Sequence, residues 1–301
     1  MAHSDGPDSA SALSRYWKNH PRGWRDFEYV YPVISRRSHG LSIGVNINPD
    51  KACNWDCVYC QVDRSVRAAS KHVDPARLRS ELDWMLGWVA NTTEGGIWET
   101  HEFADVPVKQ RRFNDIAFSG DGEPTMYPQF EKACRMAIEL KDAHGLDDVQ
   151  LIVLTNMTLY HRRNVQHAFE FLDKHNSEIW AKLDAGTVAD YHEINRSAIR
   201  FERVLNNILE AGKRRPLVIQ TMLMNTNGTP ISVEDFGEYL ERLQDLINGG
   251  CRIKRVQLYT IARQTAEHNV TPLTDEQLDG YAHSFREQMR GVPCEVFYGV
   301  E

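Results

Sequence analysis

Apolar segments alternate with amphipathic segments along most of this 301-residue sequence. The patterns predict six strand–helix pairs, from a strand at 41–47 to a helix at 275–289, followed by a short last strand at 294–298. Such alternation indicates a parallel sheet with helices packed outside it. We therefore expect an α/β fold, either curled into a partial barrel or open and doubly wound.

The sequence divides into a tail and one domain. Residues 1–12 are small and polar, which predicts a disordered tail. Residues 13–301 are predicted to form a single domain, because no internal repeat or low-complexity linker interrupts them. Within that domain, residues 13–40 are rich in aromatic side chains and are expected to form an irregular N-terminal cap, and residues 41–301 to form the α/β part.

Composition limits the classes of partner. The net charge of −7 leaves no overall basic footprint, so tight nucleic-acid binding is possible but not favoured. Six cysteines, half of them in one loop, argue against a disulfide framework and favour a reducing compartment. No run of the sequence approaches the length of a membrane span. We expect a cytoplasmic protein with no membrane partner.

Three cysteines, Cys53, Cys57 and Cys60, follow the first strand of the α/β part with the spacing C-x3-C-x2-C. Three thiolates held this close predict a metal centre. Zinc is disfavoured, since a structural zinc site needs four ligands and no second Cys or His pair follows. An iron–sulfur cluster fits better, and because it usually takes four cysteines, one iron would keep an open position for chemistry. The other three cysteines are scattered and are predicted to be structural.

Polar residues also gather at the predicted carboxyl ends of later strands, where parallel barrels carry their functional groups. In the turn Gly120–Pro124 the glycines allow close approach of the backbone to a ligand, and Glu123 can accept a hydrogen bond from an ammonium group. Side-chain alternation along the strands places a further polar set inside the barrel: Trp180, Lys182, Asp184, Gln220, Gln257, Tyr259 and Arg263. Such a lumen would be wet and would suit a polar substrate.

The cysteine motif, with Tyr59 before its last cysteine, and the later Gly120-x-Gly122-Glu123-Pro124 together resemble the radical S-adenosylmethionine (SAM) superfamily. The resemblance covers nearly the whole chain and implies a partial (β/α)6 barrel. It implies that the three cysteines ligate three irons of a [4Fe-4S] cluster and that SAM chelates the fourth. One electron from an external flavodoxin- or ferredoxin-like donor would then cleave SAM and leave a 5′-deoxyadenosyl radical, which abstracts a hydrogen from the substrate.

The resemblance also implies site residues. The turn would hold the methionine amino group of SAM, the backbone near Tyr59 would meet the adenine, and later strand ends would serve the carboxylate and ribose. The cofactor residues so implied are Tyr59, Gly120, Asp121, Gly122, Glu123, Asn156, Asp184 and Gln220. Substrate contacts are predicted from strand alternation alone at Lys182, Tyr259 and Arg263.

Within the superfamily, the segments at 120–125, 182–186 and 256–259 are similar to the branch of wyosine tRNA-base synthases. Those enzymes carry further cysteines upstream for a second cluster, whereas this sequence has none before Cys53. We therefore expect a stand-alone radical SAM enzyme with one cluster, acting on an unidentified substrate for which a small molecule is favoured. The alternatives are a tRNA-base-modifying synthase, an activase of a partner protein and, from another class, a non-catalytic iron–sulfur electron carrier or sensor.

Overall fold

The computed structural model of the chain describes residues 7–18, 24–68, 70–90 and 96–300. The strands are β1 (Val30–Ser35), β2 (Gly40–Val45), β3 (Phe113–Phe118), β4 (Gln150–Thr155), β5 (Ser177–Lys182), β6 (Leu217–Met222), β7 (Met224–Thr226), β8 (Thr229–Pro230), β9 (Ile253–Tyr259), β10 (Val270–Pro272) and β11 (Cys294–Phe297). The helices are α1 (Pro7–Lys18), α2 (Pro75–Ala90), α3 (Phe130–Ala143), α4 (Arg163–Leu172), α5 (Val188–Asn195), α6 (Phe201–Arg214), α7 (Val233–Asn248) and α8 (Asp275–Gln288). Three short 3-10 turns lie at Ile97–Glu99, Val108–Gln110 and Pro124–Met126.

Eight strands form one curled sheet in the order β1-β2-β3-β4-β5-β6-β9-β11. The pairs from β2 to β11 are all parallel, and the helices between them pack outside. The strands β7, β8 and β10 form a separate small antiparallel sheet. The predicted α/β partial barrel, with six parallel strand–helix pairs and a short terminal strand, is therefore confirmed.

The N-terminal cap is more regular than expected. Strand β1 pairs antiparallel with β2, from Val30 opposite Val45 to Ser35 opposite Gly40, and so extends the main sheet. Its interior Pro32, which argues against a central strand, is accommodated because β1 is an edge strand. Of the predicted tail, residues 1–6 lie outside the described residues, and residues 7–12 belong to α1.

The turn between β1 and β2 spans the open side of the partial barrel. Arg36 donates a hydrogen bond to the Thr260 carbonyl at 3.2 Å, just beyond the end of β9. The ring of His39 lies 5.7 Å from that of Phe297 at the end of β11. The turn thus carries the side chains of residues 36–39 from the first edge of the sheet to the last.

The amino-terminal end of the lumen is closed by ion pairs. Glu178 on β5 accepts from Arg255 at 2.7 and 3.0 Å and from Lys254 at 2.7 Å, and Arg255 also contacts Glu295 at 3.1 Å. Burial alone would raise the pKa of Glu178, but these cations lower it to about 2. Above this network lies a small apolar floor: Ala117, Ile152, Trp180 and Val218. Among the described residues, no helix combines the length and apolar character needed to cross a bilayer.

Candidate active site

The three motif cysteines line one cavity of about 280 Å³ at the carboxyl ends of the parallel strands. Each thiol is partly buried. Burial raises the pKa of the Cys53 thiol to about 11 and that of Cys57 to about 12, so both are protonated at neutral pH until a metal displaces the proton. In the described part of the chain, no group of three or more His, Cys, Asp or Glu side chains is close enough together to hold a single metal ion. Thiols spread around a cavity suit the corners of a multi-iron cluster better than a single zinc ion.

Helix α5, which the sequence patterns did not predict, supports the cysteine loop from behind. Two backbone amides of the loop, those of Asp56 and Val58, donate to the carbonyls of Asn195 and Ile194 at 2.9 Å each. The Asn195 side chain is fully buried, and its amide nitrogen lies 3.5 Å from the Cys57 sulfur. Amide groups beside ligating sulfurs tune an iron–sulfur centre, so Asn195 is a functional candidate that the sequence analysis missed.

The glycine turn after β3 packs directly against the cysteine loop. A Cβ on Gly122 would lie 2.0 Å from the Ala52 carbonyl oxygen, and one on Gly120 would lie 2.3 Å from the Asn46 side chain. The backbone amide of Glu123 donates to the same Ala52 carbonyl at 2.9 Å. The two glycines are therefore required by the close approach of two loops, and the turn backbone and the thiols line the same cavity.

The Glu123 carboxylate ties the turn to the end of β4. Its Oε1 accepts from Thr125 N at 3.1 Å, Thr125 Oγ1 at 2.5 Å and Thr155 Oγ1 at 2.6 Å. Its Oε2 accepts from Asn156 N at 2.8 Å. Only Oε2 therefore keeps acceptor capacity, since each carboxylate oxygen offers about two lone-pair sites. The predicted contact to the ammonium group of SAM stays a prediction.

Asn156 links the end of β4 to the cysteine loop. Its amide nitrogen donates to Asn54 Oδ1 at 2.7 Å and lies 4.0 Å from the Cys53 sulfur. Its Oδ1 accepts from the amide and hydroxyl of Thr158 at 3.1 and 2.7 Å. These bonds fix the orientation of the amide, which presents its N–H side to the loop and the cavity.

Asp184, just beyond β5, is buried behind the cavity and joins the cysteine loop to the lumen. Its Oδ2 accepts from Tyr59 OH at 2.5 Å and from Asn195 Nδ2 at 3.0 Å. Its Oδ1 accepts from Met222 N at 2.9 Å and from Lys182 Nζ at 2.8 Å. All four partners are donors, so both carboxylate oxygens are satisfied by hydrogen bonds from the protein.

Lys182 completes this network inside the lumen. Its ammonium donates to the Tyr259 hydroxyl and lies 5.1 Å from the ring centre of Tyr59. Burial would lower the pKa of Lys182, but Asp184 and Tyr259 outweigh it and the pKa is raised. Lys182 is therefore a fixed cation in the lumen.

Two further lumen residues were not predicted. Arg37, from the β1–β2 turn, donates to Gln220 Oε1 at 3.0 Å, and its guanidinium lies 5.2 Å from the ring centre of Tyr259. Asp115 on β3 accepts from Ser42 and keeps a buried Oδ2 with no partner among the described residues. Burial raises the pKa of Asp115 to about 6. Strand alternation with Ala117 could have placed Asp115 inside.

The structure brings the sequence-predicted residues together at one site. The cavity is lined by the three cysteines and by Tyr59, Gly120, Asp121, Gly122, Glu123, Asn156, Lys182, Gln220, Tyr259 and Arg263. Asp184 and Gln257 are fully enclosed behind this lining, and Gln257 accepts from Gln220 at 2.7 Å. The shared location is established, whereas the role of each residue toward a cofactor or substrate stays a prediction.

The three thiols and the glycine turn around one cavity of a parallel partial barrel form a site that could hold an iron–sulfur cluster. The sequence model of the Radical SAM superfamily matches residues 47–243. The chain therefore belongs to the radical SAM superfamily, and the resemblance inferred from the motifs is confirmed. Members of the superfamily use a [4Fe-4S] cluster together with SAM.

Individual relatives are distant. The chain is 23% identical over 254 residues to a protein named GTPase Obg from Brachyspira hyodysenteriae, covering 82% of this chain and 32% of that protein. It is 28% identical over 219 residues to a UPF0026 protein from Methanocaldococcus jannaschii, covering 70% and 59% respectively. The chain thus spans between about a third and three fifths of these relatives. A solved structure of TYW1 with a lysine–pyruvate adduct shares the fold, with a TM-score of 0.51 and 17% identity over 83% of this chain and 74% of that one.

Proposed function

We propose that this radical SAM enzyme carries one [4Fe-4S] cluster on Cys53, Cys57 and Cys60 and acts on a small molecule held in the barrel lumen. The observation that carries the proposal is the single cavity lined both by these thiols and by the Lys182–Tyr259 pair. When bound, the cluster and SAM supply a 5′-deoxyadenosyl radical that removes a hydrogen atom from the substrate. The protein supplies the orientation and a site shielded from water.

In this proposal, the residues that bind SAM lie at one end of the cavity and those that bind the substrate lie at the other. The backbone of the glycine turn and the spare acceptor site on Glu123 Oε2 face the position where the amino group of SAM would be held. Asn156 presents amide N–H groups there, suited to a carboxylate. At the other end, Lys182 and Tyr259 offer a charged donor and a hydroxyl to a polar substrate.

A small substrate is favoured over a nucleic acid. The lumen is closed at one end by the Glu178–Arg255 ion pairs and spanned at its open side by the β1–β2 turn. The chain's net charge of −7 also gives no overall basic footprint. These features leave room for a compact ligand rather than a folded RNA.

The comparison with TYW1 suggests a second candidate, in which a lysine condenses with an oxo acid, because that structure holds a lysine–pyruvate adduct. A condensing lysine must lose its proton to act as a nucleophile. The pKa of Lys182 is instead raised by Asp184 and Tyr259. We therefore propose that Lys182 binds the substrate as a cation.

We also propose an external one-electron donor of the flavodoxin or ferredoxin type. The described residues include no second set of grouped cysteines that could relay the electron, since Cys134, Cys251 and Cys294 are single. This proposal is tested by replacing dithionite with a purified donor and following cleavage of SAM.

The proposed function is tested on the anaerobically reconstituted chain. Iron content, charge-transfer absorbance and 5′-deoxyadenosine released from SAM are measured for the wild type, for Cys57→Ala and for the control Cys294→Ala. Cys57→Ala should lose the absorbance, and Cys294→Ala should keep it, because Cys294 lies on β11 away from the cavity. If the wild type forms a cluster but yields no 5′-deoxyadenosine, the proposal is refuted. Calorimetric measurement of SAM binding then distinguishes an enzyme, which should bind SAM, from a simple electron carrier, which should not.

A further inference from the structure

Arg36, in the turn between β1 and β2, is a partly buried cation without a carboxylate partner among the described residues. Its Nη2 donates to the Thr260 carbonyl at 3.2 Å, whereas its Nη1 is buried and has no hydrogen-bond partner in the described part of the chain. A partly buried charge of this kind is destabilising unless a counter-charge is supplied. The arrangement therefore leaves a strong hydrogen-bond donor available inside the protein.

Neighbouring charges increase the need for an anion. Arg37 and Arg263 lie close enough to Arg36 to lower its pKa, which burial together with these two cations brings to about 9. Arg37 is partly compensated by the buried carboxyl of Asp115, because burial raises the pKa of that carboxyl and the nearby charge of Arg37 opposes the rise. No carboxylate acts on Arg36 in this way. Arg263, which follows β9, and the two turn residues Arg36 and Arg37 thus place three guanidinium groups around one chamber.

The cluster opens onto the cavity described above. Arg36, Arg37 and Arg263 line a side chamber of about 70 Å³, and Arg37 and Arg263 also line the main cavity with its three thiols. Tyr259 lies on the boundary between the two spaces and bonds to Lys182. A ligand group held by the arginines would therefore place the rest of the molecule along Tyr259, toward the cofactor end.

We propose that Arg36, Arg37 and Arg263 form a subsite for an oxyanion of the substrate, a carboxylate or a phosphate group. Guanidinium groups recognise both oxyanions through paired, charge-assisted hydrogen bonds. The anion would neutralise the cluster and anchor the substrate, while its remaining part extends toward the radical. This assignment rests on the proposed function, because it identifies the chemical class of that enzyme's substrate.

The test measures binding of simple anions to the reconstituted full chain by calorimetry, with inorganic phosphate, malonate and, at matched ionic strength, sodium chloride as probes. At least one oxyanion should bind to the wild type while chloride does not. Arg36→Gln should weaken that binding by about tenfold, the size expected for one charge-assisted hydrogen bond. Arg36→Lys should weaken it less, because the charge is kept and only the paired geometry is lost.

Arg200→Gln is the matched control, since its side chain is 81% exposed and lies outside both chambers. Arg37→Gln provides a second variant in case Arg36→Gln does not fold. Phosphate binding without malonate binding assigns a phosphoester, and the reverse assigns a carboxylate. If neither anion binds, or if both arginine variants bind like the wild type, the subsite is overturned. Formation of 5′-deoxyadenosine by the wild type is assayed separately, so that failure of the subsite and failure of the enzyme assignment are distinguished.

Discussion

Replacing Asp184 by Asn tests whether the buried network holds the site together. Four donors converge on this carboxylate, two on each oxygen: Tyr59 and Asn195 on Oδ2, and Met222 N and Lys182 on Oδ1. Asn keeps the shape of the side chain but loses its charge and turns one acceptor into a donor. At least one of the four hydrogen bonds is then replaced by a contact between donors, since among the four partners only the Tyr59 hydroxyl can also accept, and the Lys182 ammonium loses its counter-ion.

The expected loss of unfolding free energy follows from the burial of Asp184 and Lys182. Asp184 is 2% exposed, and the side chain of Lys182 is 13% exposed, so solvent screens the pair only weakly. Removing one partner of a buried ion pair costs about 3–5 kcal/mol, because the other charge stays buried and unpaired. Lys182→Met alone should cost about 2 kcal/mol, since Asp184 retains three donors. The double variant should be about 2 kcal/mol more stable than the sum of the single changes predicts, because no unpaired cation remains.

The assay is a double-mutant cycle from urea unfolding of the metal-free chain. The control cycle uses Lys213 and Glu210, an ion pair of the same kind with a 2.7 Å contact and both side chains more than 40% exposed. Its coupling should be below about 0.5 kcal/mol. If the coupling between Lys182 and Asp184 is no larger than in this exposed pair, the reasoning about the buried network is refuted.

Three further predictions concern single positions. Burial raises the pKa of Asp115 to about 6, so in the folded state this carboxyl keeps a proton that it releases in the unfolded state. As the pH rises from 5 to 7.5, the wild type should therefore lose about 1 kcal/mol of unfolding free energy relative to Asp115→Asn. Parallel pH profiles of the two proteins would contradict this. Gly122→Ala should reduce both iron content and SAM binding, because its Cβ meets the Ala52 carbonyl, whereas Gly280→Ala, an open helical position, should stabilise the fold by about 0.5–1 kcal/mol. Asn195→Leu should lower the reduction potential of the cluster in an anaerobic redox titration, because it removes the amide beside the Cys57 sulfur; an unchanged potential would exclude that role.

The sequence predicted the barrel well because its elements are long and strongly periodic. The strand expected at 149–154 lies at Gln150–Thr155, and the helix expected at 200–213 lies at Phe201–Arg214. Side-chain alternation in β5 also placed Lys182 correctly on the lumen side. In each case the spacing of apolar residues along the element shows which face is buried, so the side to which each side chain points can be predicted from the local sequence.

The missed elements are those that tertiary contacts stabilise. Helix α5 has eight residues and little amphipathic pattern, and it is fixed by Tyr191, whose ring packs 5.7 Å from that of Trp55 in the cysteine loop. Strand β1 contains a proline that weakens the strand signal. Arg37 lies in the turn that follows β1, and Asn195 is the last residue of α5, so local patterns gave no indication that they reach the site.

These missed residues explain how the two ends of the site are connected. Asn195 contacts the Cys57 sulfur on one side and Asp184 on the other, and Asp184 in turn holds Lys182, which bonds to Tyr259. Every link in this chain is buried or partly buried, so a change of charge at Tyr259 is weakly screened on its way to the thiol. An anion bound near Tyr259 would therefore alter the electrostatic environment of the cluster directly. We therefore predict that substrate binding shifts the reduction potential of the cluster through Asp184, because one of its oxygens faces the cysteine loop and the other faces the lumen.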